Sequence, residues 1–538
     1  MIHINQLGYK PGDSKRVLVK NSQKKLKNFR IFDLNNEQVV YEGILKEAKY
    51  DPDSGEIVSK GDFSDLSLVG DYYIKLDNEK KSYNFSIKEG IYDQLKNDLL
   101  KLMYFQRCGL NLEEEYAGPW KHEACHLDDA YLYEEPDKKI DTSGGWHDAG
   151  DYGKYVVPAA KTIADLLLSY NFFPETFDEN INIPESKKDM PDILHEAYWG
   201  LNWMFKMQNQ DNGGVYHKVT TKQFVGMVMP ETSKEKRYIM PISSTATACF
   251  AAVMAMASSI YNDFDQKLAN EMVEAAEKAW QWLNNNPDAD VFRNPEGVNT
   301  GGYGDEDDRD ERYWAAVELY RSTGKDIYHN YIKDNINNDF DKVSIDWRNV
   351  GGYGTISYLS MEDGQDNLIY KKLKDLYFNN LNKMLARSEK SAYGLSIDEY
   401  MWGSNGLLMD QAMLLIFAKF LSEDNTNKYI QVARNNFDYL LACNVLDQCY
   451  VTGYGSKRLM NPHHRPSEAD GVEEPVPGMV SGGPNSRLQD DALRDAVDKD
   501  VPPAKAFVDH LGSHSSNEIT TYWNSPAVFV AAYFGSNR

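Results

Sequence analysis

The spacing of apolar residues changes once along the chain, after Lys88-Glu89-Gly90, and that change sets the fold. Before it, short β-rich runs alternate with polar turns: Arg16-Val17-Leu18-Val19, Phe29-Arg30-Ile31-Phe32, Val39-Val40-Tyr41, then residues 72–76 and 83–87. Asn35-Asn36 reads as one turn, and Asp77-Asn78-Glu79-Lys80-Lys81 as a hairpin between the last two runs. This spacing predicts a small β-sandwich over residues 1–88. It carries no nucleophile, metal cluster or glycine loop, so a stabilising module packed on a neighbour is expected. Beyond Gly90 the period becomes helical: Leu95, Leu99, Leu102 and Met103 line one face of residues 92–104. Comparable segments fall at 156–170, 193–207, 244–260, 272–283, 313–320, 373–386, 407–420, 429–442 and 526–534. Long loops rich in Gly, Tyr, Asp and Pro separate them, with almost no strand signal. That pattern predicts an all-α toroid or helical barrel over residues 89–538, with its site on loops at one end. A length of 538 residues agrees with more than one domain.

Charge narrows the partners. A net charge of −24 and a pI near 4.9 disfavour nucleic acid, anionic membranes and polyanionic substrates. A neutral or cationic small ligand is compatible. Thirty-five tyrosines and ten tryptophans supply faces that can stack on sugars. No run of eighteen apolar residues suggests a membrane span. Met1-Ile2-His3-Ile4-Asn5 lacks signal-peptide character, so the expectation is a cytoplasmic protein, or a secreted one if a leader was removed. Five scattered cysteines do not form a disulfide framework. A monomer is assumed.

Several constellations could carry chemistry. Ser143-Gly144-Gly145-Trp146-His147-Asp148-Ala149-Gly150-Asp151-Tyr152-Gly153 sets two carboxylates in a shaped glycine loop. Close carboxyls separate in protonation and suit acid–base work; a calcium-type or capping loop is the competing reading. Near the C-terminus, Asp509 and Glu518 lie among Ser, Asn and aromatic residues before the last apolar helix. Residues 453–466 form a stiff loop holding Tyr454, His463 and Arg465, groups able to bind sugar hydroxyls or a carboxylate, or else a structural latch. Cys108, Cys125, His126 and His147 make a complete tetrahedral zinc set, although the spacing matches no finger motif. Two unrelated buried cysteines and two ordinary histidines are the alternative. Cys249, Cys443 and Cys449 read as small core residues. The acidic run from Asp305 to Glu311 lacks EF-hand spacing and reads as a solvated loop, and Trp347 is a possible stacking platform.

Together these residues resemble glycoside hydrolase family nine, the inverting β-1,4-glucanases, in the subgroup with an N-terminal immunoglobulin-like domain. Gly145 through Asp151 resembles the family's Asp-Ala-Gly-Asp loop. Residues 455–465 resemble its His-x-Arg signature, with His463 and Arg465 in the family positions. Residues 509–525 resemble its acid signature, with Glu518 as the acid. The resemblance implies an (α/α)6 barrel behind an immunoglobulin-like sandwich, structural zinc on the Cys/His set, and calcium on ligands that stay unassigned. It also implies Glu518 as general acid, Asp151 as general base and Asp148 beside it on the water. His463, Arg465, Asp509, Trp347 and Tyr454 are then the expected substrate contacts, with no organic cofactor. Two positions depart from the pattern: His514 stands where the acid signature carries Tyr, Phe or Trp, and Cys449 replaces a Ser, Thr or Val.

The expected substrate is a β-1,4-linked oligo- or polysaccharide, cellodextrins first. An exo-acting β-glucosaminidase of the same fold, a silent glycan-binding protein and a zinc hydrolase are the alternatives.

Overall fold

The computed structural model describes residues 1–77, 80–128, 130–289, 291–422 and 426–536. The chain forms two compact units. One comprises Met1–Leu99, Leu381–His463 and Glu473–Arg538, the other Leu100–Asn380 and His464–Val472.

The first unit opens with the expected sandwich. Its strands are β1 (Ile2–His3), β2 (Gly8–Tyr9), β3 (Arg16–Lys20), β4 (Asn28–Asp33), β5 (Val39–Ile44), β6 (Lys49–Asp51), β7 (Glu56–Asp62), β8 (Gly70–Leu76) and β9 (Phe85–Ile87). One sheet runs β1-β3-β7-β6, the other β2-β9-β8-β4-β5. Alternation explains the faces: Phe29 and Ile31 of β4 point inward and are buried, as are Val17 and Val19 of β3, with Phe63, Tyr72 and Phe85 completing the core. β8 and β9 pair antiparallel as the hairpin reading requires. Asn78 and Glu79 of its turn lie outside the described residues.

Within this unit the sandwich packs on helical chain through buried polar contacts. Arg434, on helix Asn427–Leu440, donates to Asp13 Oδ1 at 2.8 Å and to the Tyr92 hydroxyl at 2.9 Å. Arg16 donates to the carbonyls of Tyr393 and Asn435. Asn5 donates to Asp438 at 3.1 Å, and His3 Nδ1 meets Asp447 at 2.6 Å. Helix Ser404–Leu421 packs against both Asn427–Leu440 and Thr521–Gly535. The last of these starts at Thr521 rather than near Pro526, because the Thr520 hydroxyl caps it by accepting from Trp523 N.

The second unit carries helices Val156–Phe172, Asp192–Met207, Ser244–Tyr261, Gln266–Asn285, Arg309–Thr323, Asp326–Asn335 and Gly351–Leu359. Ser244–Tyr261 is long and apolar enough to cross a membrane by composition, but 89% of it is buried inside the unit, packed on three neighbouring helices. Two of these helices, Asp326–Asn335 and Gly351–Leu359, fall outside the sequence expectation. Gly351–Leu359 holds three glycines, which break the apolar pattern. A Cβ on Gly351 would lie 2.2 Å from the Asp341 carbonyl, so only glycine admits this close approach. The near absence of strands expected here is corrected: β10 (Ala130–Leu132), β11 (Lys139–Ile140), β12 (Lys154–Tyr155), β13 (Lys218–Thr220) and β14 (Tyr238–Ile239) form a sheet in the order β11-β10-β14-β13-β12. Strands of two or three residues are too short to show a two-residue period.

Candidate active site

The loop after Gly144 is pinned from several sides. Gly144 and Gly145 take φ of +92° and +71°, and a Cβ on Gly145 would sit 2.7 Å from the Trp203 ring. Gln106, a residue the sequence did not single out, accepts from His147 N through its carbonyl at 2.7 Å. Its amide donates to the carbonyls of His147 and Ala149. His464 Nε2 in turn donates to the Gln106 side-chain oxygen at 3.1 Å. Arg465 donates through its backbone and its guanidinium to the carbonyl of Gly150, between the two aspartates, and through Nε to Val225. So Arg465 orders the loop directly.

Both carboxyls are nearly buried. Asp151 Oδ2 accepts from Gly153 N at 2.9 Å, which fixes its rotamer. Asp148 N donates to the Gly153 carbonyl at 2.9 Å, and Asp148 Oδ2 accepts from the Tyr303 hydroxyl at 2.5 Å. Burial pushes the Asp148 carboxyl well above the usual carboxylate range, with the Asp151 charge adding to it and the Tyr303 hydrogen bond opposing. Tyr303 was hidden in the sequence inside the Gly301–Glu311 run; its neighbouring glycines were the signal. Its ring meets Tyr155 edge-on at 4.7 Å and Trp347 edge-on at 5.1 Å, so half-buried Trp347 backs the tyrosine as well as facing solvent.

Cys108, Cys125, His126 and His147 converge, their ligand atoms all within 4.8 Å of one another. Cys108 Sγ lies 3.6 Å from His126 Nδ1, Cys125 Sγ 3.9 Å from His147 Nε2, and the two histidine nitrogens 3.2 Å apart. Tetrahedral zinc, with bonds of about 2.3 Å to sulfur and 2.0–2.1 Å to nitrogen, requires S···N edges near 3.6 Å and N···N edges near 3.3 Å. The donor set fits. A hydrogen bond from Cys125 draws the Cys108 thiol well below the usual thiol range, and burial pushes His126 down to about 3, the neutral form that binds metal. With four protein donors the site is closed, which speaks for structure and against a zinc hydrolase.

Elsewhere in this unit Asp310 and Glu311 open helix Arg309–Thr323. Asp310 accepts from Val350 N at 2.7 Å, and its carboxyl shares a hydrogen bond with that of buried Glu311. Burial pushes Asp310 up to about 7 and raises Glu311 well beyond its ordinary value. These two carboxyls are not the solvated loop the run suggests.

The first unit holds the remaining predicted residues. Glu518 follows the short helical turn His514–Asn517, half-buried, its carbonyl accepting from Gly482 N at 2.8 Å. His463 pairs with Glu518 as a parallel bridge and donates from Nδ1 to the Leu511 carbonyl at 2.6 Å. Asp509 is committed to two backbone amides and one side chain: it accepts from Met460 N, Asn461 N and Asn517 Nδ2 at 2.8, 2.9 and 3.0 Å, and so orders the residue before Glu518. His514 lies edge-on to His463 and tilted against exposed Trp402, with centroids at 5.8 and 5.3 Å, so a ring persists at this departure from the family pattern. The Tyr454 hydroxyl donates to Asp98 at 2.5 Å, an anchor on helix Asp93–Phe105.

A cellodextrinase of Butyrivibrio fibrisolvens is 36% identical over 546 residues, covering 98% of each chain. The solved structure of AaCel9A in complex with cellobiose-like isofagomine aligns with a TM-score of 0.94 and 36% identity over 99% of each chain. A Zn-binding triple mutant of the family 9 endoglucanase J30 aligns with a TM-score of 0.92 and 30% identity, covering 98% of this chain and all of that one. Residues 1–81 match the cellulase N-terminal ig-like domain. Residues 92–531 match Glycosyl hydrolase family 9, and the chain belongs to that family.

Proposed function

We propose that this protein is an inverting β-1,4-glucanase acting on cellodextrins and related β-glucans. The observation that carries the reading is the Asp148/Asp151 loop: two carboxyls held by opposed contacts, one buried against a tyrosine hydroxyl and one fixed by a backbone amide. Glu518, on its own ordered turn, delivers a proton to the glycosidic oxygen. Asp151 removes a proton from the water that attacks the anomeric carbon, and Asp148 orients that water. An inverting reaction requires acid and base roughly 6.5–9.5 Å apart, to admit the water. His463 and Trp347 contact the sugar; Arg465 and Asp509 hold the two loops. The cellodextrinase relative and the cellobiose-like inhibitor on a structural neighbour support the substrate class.

Cys108, Cys125, His126 and His147 would hold a zinc ion, which would tie the His147 end of the catalytic loop to the fold as a cross-link rather than supply chemistry. Asp310 and Glu311 would be the ligands of a calcium ion, whose charge would offset the burial that raises both carboxyls.

The test is to follow cellotetraose hydrolysis by NMR. The new reducing end should appear first as the α-anomer, and Glu518→Gln and Asp151→Asn should each lose about 10²–10⁴ in kcat while melting like the parent. Retention of the β-anomer, or near-parental turnover in either folded variant, would refute it.

A further inference from the structure

Tyr303, which reaches Asp148, stands at φ +43°, where a Cβ is crowded and the backbone persists only if neighbours hold it. Both carbonyls just before it are gripped. Lys218 Nζ donates to Gly301 O at 2.6 Å, Asn294 Oδ1 at 2.7 Å and Thr300 Oγ1 at 3.1 Å. His217 Nε2 donates to Gly302 O at 2.8 Å, and its ring lies flat on Phe292 with centroids 3.8 Å apart. Its Nδ1 accepts from the Ser243 hydroxyl, whose oxygen also caps helix Ser244–Tyr261. The grip is therefore anchored in a buried helix.

Lys218 is an unusual lysine. It is fully buried, its hydrogen-bond partners are all neutral, and among the described residues no carboxylate lies within ion-pair distance. The ammonium rests 5.4 Å from the Tyr155 centroid and 5.6 Å from that of Phe292. Tyr155 is also the register partner of Lys218 across β12 and β13, and its ring is the one that meets Tyr303. Lys218 thus acts on Tyr303 by two routes, the Gly301 carbonyl and the Tyr155 ring. Burial lowers its pKa to about 7, with the Asp151 charge acting in the opposite sense. A buried cation without a counter-ion is unfavourable for stability alone.

We propose that Lys218 is a positioning residue for hydrolysis: by holding the Thr300–Gly302 backbone it sets the Tyr303 hydroxyl on Asp148 and so fixes one carboxyl of the water-activating loop. The proposal rests on the roles given above to Asp148 and Asp151. It is tested with Lys218→Met, Tyr303→Phe and the double variant, measuring kcat, KM and Tm on cellotetraose. Lys218→Met should lower kcat about 10- to 100-fold, the scale of a small misplacement, with KM within about threefold. Added to Tyr303→Phe, it should change kcat by less than about threefold, because both act through one contact. A folded Lys218→Met with parental kcat overturns the proposal, and so does an equal loss in both backgrounds, which marks a structural role only. A parent protein inactive on every β-1,4-glucan would instead sink the functional reading itself. Should Lys218→Met fail to fold, Asn294→Ala, which removes one of its acceptors, is run through the same cycle with the same outcomes.

Discussion

His217 is a residue whose protonation the fold forbids. Burial under Phe292 holds its pKa down at about 3, against an ordinary 6.5, with the Gly302 hydrogen bond opposing and the Lys218 charge adding to it. The unfolded chain takes up a proton between those values and the folded chain does not. Its contribution is therefore complete above pH 6.5 and is lost as pH falls toward 3, at up to about 1.4 kcal/mol per pH unit. In His217→Gln, whose amide can still donate to Gly302, the fall in Tm between pH 6.5 and 4.5 should be shallower than in the parent, although the variant loses the Phe292 stack and melts lower at pH 7. Parallel curves would contradict this. Residues of this kind were not legible in the sequence. Asp148, Asp151, Cys108, Cys125, His126 and His147 announce themselves by residue type and by a glycine-rich setting. Tyr303, Lys218, His217 and Gln106 matter through partners distant in the chain, Tyr303 through one 155 positions away, and no local pattern encodes that.

At the scale of elements, the longer helices with one apolar face were legible, because a 3.6-residue period repeats over several turns, whereas the 10-residue Asp326–Asn335 was too short to show it. Gly351–Leu359 was not, since it is buried all round and built on glycine. Nor were the strands of the second unit, which are held by partners rather than by pattern. The Cys/His cluster joins three pieces: the chain after helix Asp93–Phe105 at Cys108, the loop at Cys125–His126, and the Asp148/Asp151 loop at His147. A metal held here would act as a cross-link, and its loss should cost about 2–5 kcal/mol, as for a native disulfide. Purified protein should carry close to one zinc per chain. Cys125→Ser should carry none and melt several degrees lower, yet keep measurable turnover below its melting temperature. Turnover abolished at unchanged Tm would mean that the metal does chemistry.

For the chain as a whole, the question is whether the sandwich is an appendage or a structural part. Its own core is complete, which suggests a separable module. The buried polar contacts of the first unit argue otherwise. Arg434 relies on Asp13, Asp438 relies on Asn5 with the Arg16 guanidinium 3.9 Å away, and Asp447 relies on His3, and all three lie among buried residues. Removing one partner of a buried charged pair costs about 3–5 kcal/mol, since the other charge stays desolvated. Two or three such losses equal the whole stability of many domains, about 5–15 kcal/mol. A chain beginning at Gly90 should therefore be insoluble or melt far below the full-length protein, even though every residue assigned to the reaction remains. The comparison is made by soluble yield and scanning calorimetry, alongside Asp13→Asn in the intact chain, which should lower Tm in the same direction by a smaller amount. If the shortened chain is soluble and melts within a few degrees of the parent, those charges rehydrate without penalty and the sandwich is an appendage after all.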